Sequence, residues 1–454
     1  MSAKRAPSYA EAVDRLGRAL AFGINPSLDG IRALAAALGS PEARFRSVQV
    51  TGTNGKTSVT RLIAAILTAH GERAGTYTSP HLVSYTERIL IDGEPVSEEL
   101  FAAAVGAAAD AADLLAARGA EALCLPADDV AASVTEFELM TAAALWAFAR
   151  QGVEWAALEV GMGGRWDATS VVRPEVAVVT GVALDHTDRL GETREAIAED
   201  KAQIIKPGSV AVLGPGVEGV DDVIAERAVA VDAPVVRVGG STPDVTWTIT
   251  RAPARPGGLL GIEVRTPSAE YRDLALVAPA YQTPNIAVAV AACEAALGAP
   301  LDPEALVAAL AGVTFPGRFE VVREAPPLII DAAHNPEAAA VLAAALVAAF
   351  ADALPVALIG VMADKDAAGV VRALAPVVAG FVCTRSRSPR ALVPETLAEI
   401  VRAEGAAVLG IAPDVAASLS LADEVAGAVG AGGVIACGSI YVAGEVRALV
   451  CGDG

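Results

Sequence analysis

The sequence is poor in cysteine, histidine and aromatic residues, and it lacks long apolar runs. Its 454 residues include five cysteines without a CxxC pair, four histidines and 4% aromatic residues. This scarcity argues against a disulfide framework and against a cysteine-based zinc site. No charge-free run of about 18 apolar residues indicates a membrane span, and the N-terminus has no apolar segment typical of a secretory signal. We therefore expect a cytoplasmic protein without a membrane partner.

Positive charge is also scarce. The chain has 54 acidic against 34 basic residues, which gives a formal net charge of −20. A nucleic-acid-binding surface is basic, so this balance argues against nucleic acid as a partner. Five of the basic residues are lysines: Lys4, Lys56, Lys201, Lys206 and Lys365. A chain that otherwise uses arginine keeps lysine where arginine cannot serve, although a GC-rich genome would also reduce the lysine content.

Short apolar segments alternate along the chain with amphipathic ones, which is typical of βα units. The predicted strands are residues 47–52, 155–160, 176–184, 327–332, 356–361, 380–384 and 434–438. Strands that alternate with helices in this way form mostly parallel sheets covered by helices. The sequence therefore predicts an α/β fold.

Changes of composition divide the chain. Residues 233–280 are β-rich and broken by glycine and proline, which indicates a small antiparallel addition. Residues 97–132 read as an alanine-rich helix with an acidic loop, and we interpret them as an insertion. A predicted helix ends and a new βα series begins near residues 312–320. We therefore expect an N-terminal domain of residues 1–313 and a C-terminal domain of residues 314–454.

The segment 50–61, V-T-G-T-N-G-K-T-S-V-T-R, joins a predicted strand to a predicted helix. Its loop lies at a helix N-terminus, where free backbone N–H groups and the helix dipole attract an anion. Lys56 adds a positive charge, and the hydroxyl of Thr57 or Ser58 can face Mg²⁺. We interpret the segment as a phosphate-binding loop. The alternative is an ordinary glycine-rich turn, because Val50 stands where the usual phosphate-loop pattern has its first glycine.

Two further side chains lie at the carboxyl ends of predicted strands. Glu159 ends the strand W-A-A-L-E-V, and His186 follows the strand that begins at residue 176. A carboxylate at the carboxyl end of a parallel strand, near a phosphate loop, is typical of a Mg²⁺ ligand. The alternatives are a capped loop glutamate for Glu159 and a hydrogen-bonding structural residue for His186.

Lys201 lies on the apolar face of its predicted helix, because Ile197, Lys201, Ile204 and Ile205 recur at helical spacing. A desolvated lysine loses its proton more easily. The neutral amine can capture CO₂ as a carbamate, which converts a cation into an anion that binds magnesium. The alternative is a lysine whose stem is buried while its charge reaches solvent.

The segment T-G-T-N-G-K-T-S (51–58) resembles the shortened phosphate loop of the Mur ligase superfamily, the ATP-dependent amide-forming ligases. Further motifs resemble the folylpolyglutamate synthases and dihydrofolate synthases, and the resemblance runs from about residue 20 to residue 447. These motifs lie at residues 77–89, 158–169, 183–191, 201–208, 315–320 and 331–336. The resemblance implies an N-terminal P-loop-type ATPase domain and a C-terminal Rossmann-like domain that carries the glutamate-ligase function.

The resemblance also implies the residues that bind ATP and metal. ATP would contact Thr53, Asn54, Gly55, Lys56, Thr57, Ser58, Asn285, Arg318 and Asp331. Two Mg²⁺ ions would be held by Ser79, Glu159, His186 and Lys201, the last as its CO₂-derived carbamate. Lys56, His186 and Lys201 would be catalytic. The chain departs from the family pattern at Tyr281, where members often have histidine, and at Thr57, where many have glycine.

The same resemblance places the other two substrates. His334 and Ser439 would bind the incoming glutamate. Folate would contact Ser27, Pro80, His81, Thr135, Glu136, Phe137, Glu138, Trp166, Asp167 and Ala168. Phe137 and Trp166 would offer flat apolar surfaces to a pteridine, and core packing is the alternative for each. The role of Lys365 stays open.

These features together predict a monomeric ligase that uses ATP to add L-glutamate to dihydropteroate, to folate polyglutamates, or to both, through an acyl phosphate. The S-P-H-L form of one motif favours both activities; polyglutamate extension alone is the alternative. A cell-wall Mur ligase would need a further N-terminal domain of about 100 residues, and we expect no room for one before residue 52. An ATP-gated binding protein would not need Glu159, His186 and Lys201 together.

Overall fold

The computed structural model describes residues 7–19, 26–118 and 134–452. The chain divides into two compact units. The first unit comprises residues 1–248, 263–274 and 284–313, and the second comprises residues 249–262, 275–283 and 314–454. The acidic loop expected at residues 125–130 lies outside the described residues.

The first unit is built on an eight-stranded sheet. Its strands are β1 (Arg46–Thr51), β2 (Ala74–Tyr77), β3 (Ile89–Ile91), β4 (Glu94–Pro95), β5 (Trp155–Glu159), β6 (Val176–Gly181), β7 (Val210–Gly216) and β8 (Val235–Arg237). They are hydrogen-bonded in the order β4-β3-β2-β5-β1-β6-β7-β8. The six strands from β2 to β8 in this order are parallel, whereas β3 and β4 are antiparallel additions at one edge.

The chain order changes direction at β1, because β5 pairs with one side of it and β6 with the other. Such a switch point opens a crevice at the carboxyl ends of the strands, where ligands bind in open α/β sheets. The segment after β1 is the predicted phosphate loop, and the helix after it begins at Lys56. The topology therefore puts the loop at the favoured ligand position.

Helices connect and flank these strands. They are α1 (Tyr9–Ala19), α2 (Asp29–Ala37), α3 (Lys56–Ala69), α4 (Glu98–Arg118), α5 (Glu136–Gln151), α6 (Thr187–Leu190), α7 (Arg194–Ala202), α8 (Asp221–Ala230), α9 (Thr283–Leu297) and α10 (Pro303–Gly312). A three-stranded sheet of β9 (Thr246–Arg251), β10 (Leu259–Arg265) and β11 (Glu270–Val277) has the order β11-β10-β9. It lies in the region where a small β addition was predicted.

Helix α4 is alanine-rich and packs against α1, α2 and α5. By length and composition alone it would suffice to cross a membrane, and it is the one described helix of that kind. Its buried side chains, including Phe101, Val105 and Leu115, belong to the core that α5 also lines. The apolar face of α4 is therefore used in packing within the first unit.

The second unit has a six-stranded sheet of order β12-β13-β17-β14-β15-β16. The strands are β12 (Glu320–Glu324), β13 (Pro327–Ile330), β14 (Val356–Ile359), β15 (Gly380–Cys383), β16 (Val408–Ile411) and β17 (Val434–Cys437). All neighbouring pairs are parallel except β12 with β13. The helices are α11 (Pro336–Ala349), α12 (Ala367–Leu374), α13 (Pro394–Ala403), α14 (Val415–Val429) and α15 (Ile440–Cys451). The predicted α/β class, with a second α/β sheet at the C-terminal end, is confirmed.

Candidate active site

The loop between β1 and α3 has room only for glycine at two positions. Gly52 has φ +152°, and a Cβ added there would lie 1.9 Å from the Thr180 hydroxyl oxygen. Gly55 has φ +84°, and its Cβ would lie 2.7 Å from the side-chain oxygen of Asn285. Residues other than glycine rarely adopt these backbone angles. The loop backbone therefore packs directly against the side chains of Thr180 on β6 and Asn285 on α9.

Hydrogen bonds fix this loop to the end of β6. The Thr53 amide donates to the Gly181 carbonyl at 2.9 Å, and the Thr180 hydroxyl donates to the Asn54 carbonyl at 2.6 Å. Lys56 Nζ folds back and donates to the Gly52 carbonyl at 2.9 Å and the Thr53 carbonyl at 3.3 Å. The cation is thus held directly over the loop, where a phosphate group would meet it.

Exchange of Gly55 for alanine tests this close packing. We expect Gly55→Ala to weaken ATP binding at least about tenfold, because the loop must move away from Asn285 to admit the methyl group. Gly71→Ala is the matched control: Gly71 has φ +85°, yet a Cβ there meets no atom within 4 Å. Isothermal titration with ADP compares the two variants. Equal affinities would show that the loop admits a methyl group at Gly55 without loss of nucleotide binding, and would contradict the prediction.

Glu159, at the end of β5, is held between Thr57 of the phosphate loop and Ser79, another predicted metal ligand. It is 2% exposed. The Thr57 hydroxyl donates to one of its carboxylate oxygens at 2.9 Å, and the Ser79 amide donates to the other at 3.2 Å. Carboxylate and hydroxyl oxygens are the ligands that Mg²⁺ prefers. The structure therefore brings Thr57, Ser79 and Glu159 together beside the phosphate loop.

His186 and Lys201 line one pocket with that loop. The pocket walls include Gly52, Lys56, Asp185, His186 and Lys201. His186 has φ +51° and an exposed side chain whose Nε2 lies 3.8 Å from an oxygen of Asp185. In the described part of the chain, no three His, Cys, Asp or Glu side chains form a metal-binding group. The predicted ligand set contains only two residues of these types, Glu159 and His186.

Lys201 is buried as its helical spacing predicts, with 4% of its surface exposed. It lies on α7 beside Ile197, which is fully buried. Burial, and then the nearby charge of Lys56, lower the pKa of Lys201 to about 7, while the charges of Asp200, Asp185 and Asp167 oppose the shift. A substantial share of the Lys201 side chains is therefore neutral near pH 7, unlike an ordinary lysine.

The predicted folate residues include one buried ionic network. The Arg88 guanidinium donates to Glu136 at 3.0 Å and to His81 Nδ1 at 3.0 Å. Burial, and then the charge of Arg88, lower the pKa of His81 to about 3. The His81 ring also contacts the Tyr85 ring in a tilted arrangement, with centroids 4.3 Å apart and an interplanar angle of 48°. His81 is therefore a neutral acceptor for Arg88 over the physiological pH range.

The low pKa of His81 predicts a specific acid sensitivity. The unfolded chain binds a proton at His81 near pH 6.5, whereas the folded chain does so only near pH 3, so stability falls as pH drops through this window. When the pH is lowered from 7.5 to 4.5, we expect the free energy of unfolding of the parent to fall by about 2 kcal/mol more than that of His81→Gln. Urea unfolding at both pH values measures this. His70→Gln, outside the network, is the control, and identical pH dependence of parent and His81→Gln would contradict the prediction.

Other predicted folate residues take part in local structure. Thr135 and Glu138 form a capping box at the start of α5, with a Glu138 oxygen accepting from the Thr135 amide at 2.9 Å. Asp167 is 7% exposed and caps the short helical turn Ala168–Val171, and burial raises its pKa. Ser27 and Asp29 are hydrogen-bonded at 2.8 Å near the start of α2. Contact of these residues with a ligand stays a prediction.

The two predicted aromatic residues differ in exposure. Phe137 packs against Tyr77, with ring centroids 6.1 Å apart, and against the backbone of Gly161, two residues after Glu159. Trp166 is 49% exposed. Pro80 follows Ser79 through a cis peptide bond, and Ala168 is buried. Phe137 therefore connects the predicted folate residues to the segment that follows Glu159.

In the second unit, Asp331 is enclosed by hydrogen-bond donors. One oxygen accepts from the Phe319 amide at 2.8 Å and from the Tyr281 hydroxyl at 3.3 Å, and the other accepts from the Ala333 amide at 2.8 Å. Burial raises the pKa of Asp331, and the charge of Arg318 opposes the shift. Tyr281, the departure from the family pattern, thus contacts a residue predicted to bind ATP.

The predicted glutamate residues follow neighbouring strands of the same sheet. His334 comes after β13 and Ser439 comes after β17, and these strands are parallel partners. His334 Nδ1 lies 2.9 Å from the Ala332 carbonyl, and the Ser439 hydroxyl accepts from the Tyr441 amide at 3.2 Å to cap α15. The Gly438 amide donates to the Ala333 carbonyl at 3.0 Å, which joins the two loops.

Two family models match this chain. The Mur ligase middle domain matches residues 50–90 and 100–293, and the Mur ligase glutamate ligase domain matches residues 317–439. The chain belongs to the Mur ligase family. Among curated proteins, this Mur ligase is similar to the dihydrofolate synthase/folylpolyglutamate synthase of Mycobacterium tuberculosis. The two are 39% identical over 449 residues, which cover 94% of this chain and 90% of the relative.

Solved structures agree with this assignment. The Mur ligase chain is similar to Mycobacterium tuberculosis folylpolyglutamate synthase complexed with ADP and AMPPCP, with a TM-score of 0.88, 36% identity and coverage of 98% of this chain and 99% of that one. It is also similar to the Yersinia pestis bifunctional folylpolyglutamate synthase/dihydrofolate synthase complexed with AMPPNP and a Mn ion. Here the TM-score is 0.81, the identity 30%, and the coverage 99% and 100%.

Two residues around the loop were not assigned a role from the sequence. Asp185 lines the pocket beside His186, and Thr180 holds the loop through Asn54. Asp185 directly follows the predicted strand 176–184 and so lies at a strand end as Glu159 does, which means that the same signal was available for it. Thr180 carries no such signal, because its role depends on how β6 packs against the loop.

Proposed function

We propose that this Mur ligase adds L-glutamate to dihydropteroate and to folate polyglutamates at the expense of ATP. The observation that supports this best is the pocket lined jointly by the phosphate loop, His186 and Lys201, with Glu159 hydrogen-bonded to Thr57 at its edge. The names of the similar proteins supply the substrate class. Polyglutamate extension alone is the second candidate, because the M. tuberculosis structure is named for that activity only.

The donor set beside the loop fits magnesium. Thr57, Ser79 and Glu159 offer hydroxyl and carboxylate oxygens, and His186 offers a ring nitrogen. Magnesium would neutralise charge on the phosphates and polarise the transferring group. The similar Y. pestis structure, complexed with AMPPNP and a Mn ion, supports a divalent metal at such a nucleotide site.

We infer that Lys201 acts as a carbamate. The neutral amine attacks CO₂, a C–N bond forms, and the proton leaves to solvent, so a cation is replaced by an anion. Burial of Lys201 at 4% exposure favours loss of the ammonium proton, and the pocket opens toward Lys56 and His186. The resulting carboxylate would hold a second Mg²⁺ ion.

The reaction follows from what the loop can stabilise. The substrate carboxylate attacks the γ-phosphorus of ATP, ADP leaves, and an acyl phosphate forms. The amine of glutamate then attacks the acyl carbon, and phosphate leaves with the P–O bond intact. Lys56 and the N–H groups at the start of α3 face the charge that builds on the transferring group. In the second unit, Arg318 and Asp331 would contact ATP, and His334 and Ser439 would hold glutamate.

Product mass is the direct test. The full chain is incubated with ATP, Mg²⁺, dihydropteroate and L-glutamate, and then with a folate monoglutamate in place of dihydropteroate. We expect a mass increase of one glutamyl residue in both cases, together with ADP release that requires both the acceptor and glutamate. A mass gain with the folate monoglutamate but not with dihydropteroate would support the second candidate. ADP release in the absence of both the acceptor and glutamate would contradict the ligase proposal.

A further inference from the structure

Four basic residues gather at the amino edge of the eight-stranded sheet. Arg173 precedes β6 and Lys206 precedes β7, whereas the phosphate loop follows β1. Because β1, β6 and β7 are parallel, the two positions lie at opposite ends of strands that span roughly 17 Å. We call the set the amino-edge cluster; its members are Arg32, Arg173, Lys206 and Arg227.

Backbone carbonyls, rather than carboxylates, hold this cluster together. Lys206 Nζ donates to the carbonyls of Ser170 and Val172, the latter at 2.6 Å. Arg227 Nε donates to the Ile205 carbonyl at 3.1 Å, so its guanidinium is tied to the residue before Lys206. Arg173 follows Val172 in sequence. Helix α2, which carries Arg32, contacts the helical turn Ala168–Val171.

The charged groups that act on Lys206 are all positive, although the chain as a whole is strongly acidic. Burial, and then the charges of Arg32, Arg173 and Arg227, lower the pKa of Lys206 to about 8. Arg32 has Asp29 at 3.7 Å. Within residues 7–19, 26–118 and 134–452, no carboxylate forms an ion pair with the other three members of the cluster. The described protein therefore gives these three charges no direct ion pair.

We propose that the amino-edge cluster binds a multiply charged oxyanion of the phosphate type. Lysine has three N–H donors and arginine five in a planar fork, so the bonds to carbonyls leave further donors on Lys206 and Arg227. Guanidinium groups bind phosphate oxygens in pairs, and such charge-assisted bonds are the strongest that side chains make. An anion here joins α2, α8 and the turn that Asp167 caps, and it stabilises the first unit from the side opposite to the phosphate loop.

Pyrophosphate binding tests this site. Isothermal titration is carried out on the full chain carrying Lys56→Ala, at constant ionic strength. The substitution and the omission of Mg²⁺ weaken pyrophosphate binding at the phosphate loop. We expect one saturable binding event. In the same background, Arg173→Gln/Arg227→Gln should weaken it at least about tenfold, because each lost charge-assisted bond costs several-fold in affinity.

The control removes equal charge elsewhere. Arg251→Gln/Arg255→Gln in the same background takes two arginines from exposed positions outside the cluster and should leave the dissociation constant unchanged. Thermal unfolding verifies that each variant is folded, and Arg173→Gln alone, at an exposed position, replaces the double variant if that one is not. Absence of binding in the Lys56→Ala chain, or equal weakening in both double variants, would overturn the proposal.

Discussion

Replacement of Lys201 by alanine is expected to lower kcat at least about 10³-fold, which is the scale of losing an essential charge from a pre-organised site. The side chain is almost fully buried on α7 and lines the pocket formed by the phosphate loop. The alanine variant loses the amine that would take up CO₂, so added bicarbonate should not restore activity. Single-turnover formation of ADP, with dihydropteroate and glutamate present, measures the loss.

Lys201→Arg separates the carbamate from a plain positive charge. Arginine keeps a cation at the position but does not lose its proton, so it cannot form a carbamate. If the anion is what matters, Lys201→Arg should be as inactive as Lys201→Ala. If a cation near Lys56 is what matters, the arginine variant should retain most of the activity, and the carbamate role would then be wrong. ADP affinity measured for both variants shows whether the loop itself is intact.

Glu159→Gln should lower kcat about 10²- to 10³-fold and raise the Mg²⁺ concentration needed for half-maximal activity. Glu159 accepts from the Thr57 hydroxyl and the Ser79 amide through its two oxygens. A glutamine offers one oxygen acceptor and one NH₂ donor, so one of these donors faces another donor. The variant therefore loses both the negative charge for the metal and one of the bonds that place Ser79. A magnesium titration of ADP release measures the shift.

Glu175 provides the matched control for this substitution. It accepts a backbone amide, that of Ser47, at 2.7 Å, and it lies just before β6 at the other edge of the same sheet. Glu175→Gln should change stability but leave the magnesium requirement unaltered. A glutamine at Glu159 that left the magnesium titration unchanged would remove Glu159 from the proposed metal site.

Much of the fold was predictable, because it depends on local patterns. Predicted apolar runs coincide with β1, β5, β6, β13, β14, β15 and β17, and the predicted phosphate loop leads into a helix, which begins at Lys56. The burial of Lys201 followed from helical spacing. The sequence did not predict that residues 249–262 and 275–283 belong to the second unit, because this depends on contacts between distant segments.

The candidate site shows the same limit. The approach of Ser79 to Glu159 joins residues 80 positions apart, and only the pairing of β2 with β5 brings them together. By contrast, the segment T-E-F-E at residues 135–138 has the pattern of a capping box, a local signal that accounts for Thr135 and Glu138 without any ligand. The family resemblance favoured a folate role for both, and this role stays a prediction.

The contact between Phe137 and Gly161 has a consequence for the design of inhibitors. A methyl group at Gly161 would come within 2.7 Å of the Phe137 ring, so aromatic side chain and backbone already touch. A compound that pushes this ring toward Gly161 must also move the backbone that follows Glu159. Such a compound would therefore disturb the carboxylate two residues away, and a larger residue at Gly161 would displace the Phe137 ring.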